Sequence, residues 1–268
     1  MKILLPTDFS KNSLDAIFYS MELFGAGHNW TLLNCFHTPH AGARVMVKID
    51  DILAESSVRD LDVIEKKIRQ KFNENDYPIQ VISEHGEVVR CIDIMVDQHK
   101  YDLITLGTKG ASGLKEVFMG SFASKVVEHA DLPVLAIPEL AVYKGLNRLA
   151  VADDEETVKN NDCAKLVNEL IDMHQPKIMM VNVSTKEGDV YEPSGIGIDG
   201  LLAKHERSHH NVKHNDIAKG LRQFNADNQI DLLVMLHRKE SAFMEWLTTS
   251  TSEDMAMHAR VPILALKA

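Results

Sequence analysis

At 268 residues, with 45% hydrophobic and 25% charged residues, the chain has the balance of a globular protein and the length of roughly two domains. Its 39 Asp and Glu against 29 Lys and Arg leave a net charge of −10, which argues against a reader of nucleic-acid backbones and against an anionic membrane surface. Three scattered cysteines, Cys35, Cys91 and Cys163, suit neither a disulfide framework nor a cysteine zinc site, and no stretch approaches the roughly eighteen apolar residues of a membrane span.

The opening MKILLPTDFS lacks the apolar segment of a signal peptide, so the expected setting is the reducing cytoplasm. Lys2 to Leu5 reads as a short strand ended by Pro6. Thr7-Asp8-Phe9-Ser10 follows as a loop, with Ser10 placed to cap a helix. Leu14, Ile17, Phe18, Met21 and Phe24 share one helical face, and Gly25 and Gly27 end that helix. Thr31 to Phe36 is a second strand. Ile49, Ile52, Leu53, Leu61, Ile64, Ile68 and Phe72 mark a long amphipathic helix. Pro78 to Ser83 gives a third strand, and Val88, Ile92 and Met95 seat a third helix.

The stretch from Asp102 to Ile137 organises the rest. Leu103 to Leu106 is a buried strand. Gly107, Gly110 and Gly113 follow, then a charged segment, then Gly120-Ser121. Phe122, Val126, Val127 and Ala130 fall at near-helical spacing, Pro133 closes that helix, and Val134 to Ile137 is another buried strand. Glycines here let backbone N–H groups approach an anion with no Cβ in the way. Ser121 falls at a helix start, where unpaired N–H groups and the helix dipole favour phosphate. Strand–helix alternation over this length predicts a doubly wound parallel sheet, with every strand short and apolar on both faces. Ligands bind such sheets at the carboxyl ends of the strands.

Glu139 to Asn147 reads as a linker, and the pattern then repeats. Leu149 to Asp154 mirrors Ile3 to Asp8. Leu166, Leu170 and Ile171 form the first helix face. Ile178 to Val183 and Asp231 to Leu236 repeat strands two and four; Ile217, Leu221 and Phe224 repeat helix three. Val261 to Leu266 resembles Leu132 to Ile137. Leu149 follows Ile3 by 146 positions and Leu236 follows Leu106 by 130, so the second unit is shorter, mostly near Ser184 to Ser208. The expected division is 1–138, a linker at 139–146, and 147–268.

The pattern Gly107-x2-Gly110-x9-Gly120-Ser121 resembles the nucleotide-binding signature of the universal stress protein family. That resemblance implies an α/β architecture of two tandem, doubly wound, five-stranded parallel sheets, Rossmann-like and related by a pseudo-two-fold axis, paired through their last strands. It implies Pro6 and Asp8 at the end of strand one, with Asp8 at the ribose or a metal-bridged phosphate. It implies Phe36 beside the adenine and Leu106 and Gly107 at the ribose. Lys109, Gly110, Gly120, Ser121 and Phe122 would surround the phosphates. The implied ligand is ATP, with or without Mg²⁺, or AMP or another adenine nucleotide.

The residues also carry plainer readings. The glycines serve as turn residues, Asp8 as a capping carboxylate, and Ser121 as a helix cap under either view. In the second unit Gly107 aligns with His237, Gly110 with Glu240, and Gly120-Ser121 with Ser250-Thr251. A Glu about 4 Å from a phosphate costs about 4 kcal/mol at an effective dielectric of about 20, so this unit is not expected to hold ATP in the family manner. His205, His209, His210 and His214 are read as a solvated surface rather than a metal site, because they fall where a strand is expected. Trp246, Phe243 and Met244 are candidates to cover a vacant second pocket or form a dimer contact. The acidic run from Asp153 to Glu156 reads as a solvated helix start. No nucleophile elbow and no evident base for fast hydrolysis occur, so any ATPase activity is expected to be slow. The function expected is a cytoplasmic stress-response protein regulated by nucleotide; the alternative is a scaffold working through an unidentified protein partner, as a monomer or homodimer.

Overall fold

The computed structural model describes residues 1–37, 43–109, 121–154, 156–158, 163–185, 195, 197–237 and 261–267. The leading half alternates β1 (Lys2–Pro6), α1 (Lys11–Phe24), β2 (Asn29–Phe36), α2 (Ala43–Arg69), β3 (Ile79–His85), α3 (Val88–His99), β4 (Leu103–Gly107), α4 (Ser121–His129) and β5 (Val134–Ile137). The trailing half repeats the scheme. It runs β6 (Arg148–Ala152), α5 (Cys163–His174), β7 (Lys177–Ser184), α6 (Gly197–Leu201), β8 (Arg207–Lys213), α7 (Ile217–Asn228), β9 (Leu232–His237) and β10 (Ile263–Lys267). The shortening expected near Ser184 to Ser208 is visible: where α2 has 27 residues, α6 has 5.

The local causes are explicit at α1. Ser10 is extended, and its hydroxyl accepts from the Ser13 N–H at 3.1 Å, satisfying one of the helix's orphan donors. At the other end Gly25 takes φ +71° and donates to the Met21 carbonyl at 3.0 Å, a left-handed cap that a side chain would strain.

The strands join in one ten-stranded sheet, ordered β3-β2-β1-β4-β5-β10-β9-β6-β7-β8. Within each half the pairing is parallel. At the centre β10 pairs antiparallel with β5, setting Leu264 opposite Leu135. Each half thus reads 3-2-1-4-5, and the second is turned about the seam, an approximate two-fold relation. The carboxyl ends of the two sets of strands therefore point in opposite directions.

Alternation along the strands feeds two cores. Ile3 and Leu5 face a layer shared with Ile17, Leu61, Ile64, Val167 and Leu170, whereas Leu4 faces Ile92, Met95, Val126 and Val127. The first layer runs unbroken from one half into the other, with Leu135 and Leu264 both in it and both fully buried. Further ties cross the seam: His174 Nε2 donates to the Leu23 carbonyl at 2.8 Å, and Tyr143 meets Tyr19 edge-on at 5.4 Å.

Two expectations change. Strands β3 (IQVISEH) and β8 (RSHHNVK) are not apolar on both faces; all of their residues are exposed or half-buried. Each lies at a sheet edge with a single neighbour, where charged and polar side chains discourage further strand addition. The acidic run is not a helix start. β6 ends at Ala152 and α5 begins only at Cys163; Asp153 is 4% exposed.

Asp199 on α6 is 1% exposed and accepts from Arg207 Nε at 2.5 Å and His209 Nε2 at 2.8 Å. Burial alone would raise its carboxyl pKa, but hydrogen bonds and charge from Arg207 and His209 prevail and hold it below the usual carboxylate range. A carboxylate with a depressed folded pKa stabilises the fold above its unfolded pKa of about 3.9 and loses that contribution as pH falls through the folded value. Melting curves of the wild type should therefore fall more steeply with acidification below about pH 4 than those of Asp199→Asn. Parallel curves would remove Asp199 from the acid response.

Candidate functional site

At the carboxyl end of β1 the chain turns sharply. Thr7 donates its N–H to the Leu33 carbonyl at 2.8 Å, and its hydroxyl shares a 2.9 Å bond with Ser13 and accepts from the Phe9 N–H at 3.1 Å. Phe9 sits at φ +65°, a left-handed conformation that bulky residues seldom hold without support. Asp8 accepts from the Ser10 N–H at 3.0 Å, which orients its carboxylate at the rim. Asn34 on β2 donates to the Thr7 carbonyl at 2.7 Å, and its own oxygen accepts from Ser57 of α2 at 2.8 Å. This buried polar chain fixes the loop against the sheet.

The second wall is the end of β4. A Cβ on Gly107 would lie 2.6 Å from Asn12 Oδ1 and 3.0 Å from the Asn12 carbonyl oxygen, so only glycine fits without displacement. The close approach is used. Asn12, 5% exposed in the first turn of α1, accepts from the Lys109 N–H at 2.8 Å and reaches the Ile137 carbonyl at 3.4 Å through Nδ2. Thr108 donates to the same Ile137 carbonyl at 2.9 Å. One side chain thus ties α1 to the loop leaving β4 and the end of β5. Lys109 extends Nζ to Glu139 at 3.0 Å.

The expected site residues divide as follows. Pro6, Asp8, Leu106, Gly107 and Lys109 come together at the carboxyl ends of β1 and β4. Pro6 and Leu106 are buried and form floor rather than rim. Phe36 ends β2 with its ring edge-on to His85 at 5.5 Å. Ser121 opens α4, and Phe122 is half-buried against the core. Gly110, Gly113 and Gly120 lie outside the described residues, as do Glu240, Phe243, Met244, Trp246, Ser250 and Thr251.

Thr7, Asn12 and Asn34 escape the sequence reading. The one available signal is Asn12-Ser13 in the first turn after the capping Ser10, two small polar residues next to the apolar face of the helix. Cys35 and Cys91 also prove to be neighbours. Their thiols share a hydrogen bond, and burial raises both pKa values, so both stay protonated and poorly nucleophilic.

The histidine segment disperses onto separate partners. His205 bonds Asn168 at 2.8 Å, His209 bonds Asp199, His210 bonds Ser208 at 2.8 Å, and His214 accepts from the Asp216 N–H at 2.9 Å. Among the described residues no group of three or more His, Cys, Asp or Glu is placed to hold a metal. Asp8 offers a single carboxylate, which suits Mg²⁺ only where phosphate oxygens complete the shell.

The trailing half keeps the floor of the same construction. Asp153 donates its N–H to the Val181 carbonyl at 2.9 Å, Asn182 donates to the Asp153 carbonyl at 3.0 Å, and Asp154 accepts from the Glu156 N–H at 3.2 Å. These repeat the contacts of Thr7, Asn34 and Asp8, with one change: a buried carboxylate stands where the leading half has a threonine.

Comparison with known proteins agrees with this architecture. A universal stress protein of Methanocaldococcus jannaschii is 28% identical over 144 residues, covering 51% of this chain and 81% of that protein. The YxiE universal stress protein of Bacillus subtilis is 32% identical over 89 residues, 33% of this chain and 60% of its own length. The crystal structure of a universal stress protein from Archaeoglobus fulgidus superposes over 99% of this chain and 96% of its own, with a TM-score of 0.71 at 20% identity, which shows a shared fold end to end. The family model described as "Universal stress protein family" matches residues 1–138 and again 171–267. With two matches spread over both halves of the sheet, the chain belongs to the universal stress protein family.

Proposed function

We propose that the leading unit, residues 1–138, binds ATP or a related adenine nucleotide as a regulatory ligand in a stress response. Residues 139–146 then act as connector, and 147–268 as a unit that holds no polyphosphate. The observation that carries this reading is the contact of Gly107 with Asn12. The missing Cβ lets the loop leave β4 flush against α1, and the sequence supplies further glycines and a helix start after it, residue types that suit an anion. Lys109 and Asp8 supply a cation for phosphate and an acceptor for ribose hydroxyls or Mg²⁺. The expected setting is the cytoplasm; among the described residues no helix is long and apolar enough to cross a membrane.

Equilibrium dialysis of the whole chain with ATP–Mg²⁺ and with AMP tests the reading, with Gly110→Asp as control. Uptake by the wild type but not the control supports it. Equal failure of both favours the second reading, a scaffold acting through protein contacts, which the 51% and 71% exposures of Leu140 and Val142 on the connector support. Because β5 and β10 satisfy each other within one chain, this reading needs no second copy.

Lys109 is committed to Glu139 at 3.0 Å, with Glu139 half-exposed. Such a pair is worth about 0.2–1 kcal/mol, and a phosphate must displace it. Glu139→Gln should therefore raise nucleotide affinity by up to about fivefold; weaker binding would mean that Glu139 contributes to the site instead.

A further inference from the structure

The repeated floor of the trailing half lies beside a cavity of about 210 Å³ at the carboxyl ends of β6, β7 and β9 and the start of α7. Val183, Ile217, Leu221 and Met235 make its apolar walls, and Asp153 and Asp154 its polar end. Its volume is below the roughly 300–1,000 Å³ of sites for drug-sized ligands. We infer that this cavity is a second ligand site, for a phosphate-free molecule that joins an apolar ring to hydroxyl or amino donors, as a nucleoside does.

The argument rests on what was kept and what was changed. One backbone-to-backbone contact and two backbone-to-side-chain contacts of the leading site recur around Asp153, Asn182 and Asp154. The turn that presents acceptors to the cavity is therefore intact. The apolar walls suit a flat ring, which loses water on both faces when it enters. The change is Asp153, 4% exposed, in the place of Thr7. A second carboxylate beside Asp154 attracts donors and repels phosphate. The two halves thus divide one ligand chemistry: polyphosphate on one side, its exclusion on the other.

The test uses the whole chain labelled with ¹³C at methionine methyls. The resonance of Met235, which lines the cavity, is assigned by its loss in Met235→Leu. Adenosine should shift this signal in a saturable way, with AMP and ATP at least about tenfold weaker. Leu221→Trp, which fills the cavity, should abolish the shift while far-UV dichroism stays native. Asp153→Thr, which installs the leading half's residue without blocking the cavity, should narrow the gap between adenosine and AMP. No response of Met235 to any of the three ligands would overturn the inference. So would ATP acting at concentrations as low as adenosine, or an unchanged gap in Asp153→Thr. Because Met235 belongs to the trailing half, these outcomes stand apart from nucleotide uptake by the leading one.

Discussion

Leu264→Ala is expected to destabilise the entire chain by about 3 kcal/mol. Leu264 is fully buried and pairs with β9 on one side and β5 on the other. Its side chain belongs to the apolar layer that crosses the seam. Removing three carbons there leaves a cavity between elements from both halves, which neither can refill alone. Leu135→Ala should cost a similar amount. Because the two residues oppose each other in register, the double variant should depart from additivity by about 0.5–3 kcal/mol. Urea unfolding followed by dichroism checks this. A single transition that moves as a whole is the expected result; two transitions, only one of them moving, would show that the seam does not couple the halves.

The largest effect on ligand binding is expected from Gly107→Ala. The added Cβ would stand 2.6 Å from Asn12 Oδ1, 2.9 Å from Asn12 Cγ and 3.0 Å from its carbonyl oxygen. Asn12 cannot yield freely, since it holds the Lys109 N–H and the Ile137 carbonyl, and its own carbonyl belongs to the helix. Stability should fall by about 1–3 kcal/mol, and ATP uptake by more than tenfold, because the loop that begins at Thr108 is pushed out of place. Asn12→Ala separates the two effects. In the background of Gly107→Ala it relieves the side-chain clash, so part of the stability should return. It also leaves the Lys109 N–H without its partner, so uptake should not return. Recovery of both would show that Asn12 serves only as filler.

The doubly wound order was legible because it depends on periodicity and punctuation, which are local: Ser10 before α1, Gly25 after it, Pro133 before β5. The repeat was legible because short apolar strands recur in the same sequence of elements. The polar floor was not. Thr7, Asn12 and Asn34 matter through partners far along the chain, and isolated Asn or Thr residues look like ordinary caps. Cys35 and Cys91 were hidden for the same reason. In a parallel sheet, residues brought together across β2 and α3 are separated by a long crossover, so sequence distance says little about proximity. Asp153 was misread because a run of acids implies solvent, whereas its place at the end of a central strand buries it.

The antiparallel junction of β5 and β10 has an evolutionary corollary. Two identical copies meeting across such a junction must share every substitution, so a change that suits one pocket is imposed on its twin. Joining the copies in one polypeptide lifts that constraint while fixing their ratio at one to one. Asp153 can then stand on one side and Thr7 on the other, and the single chain carries two unlike pockets that can never be mispaired.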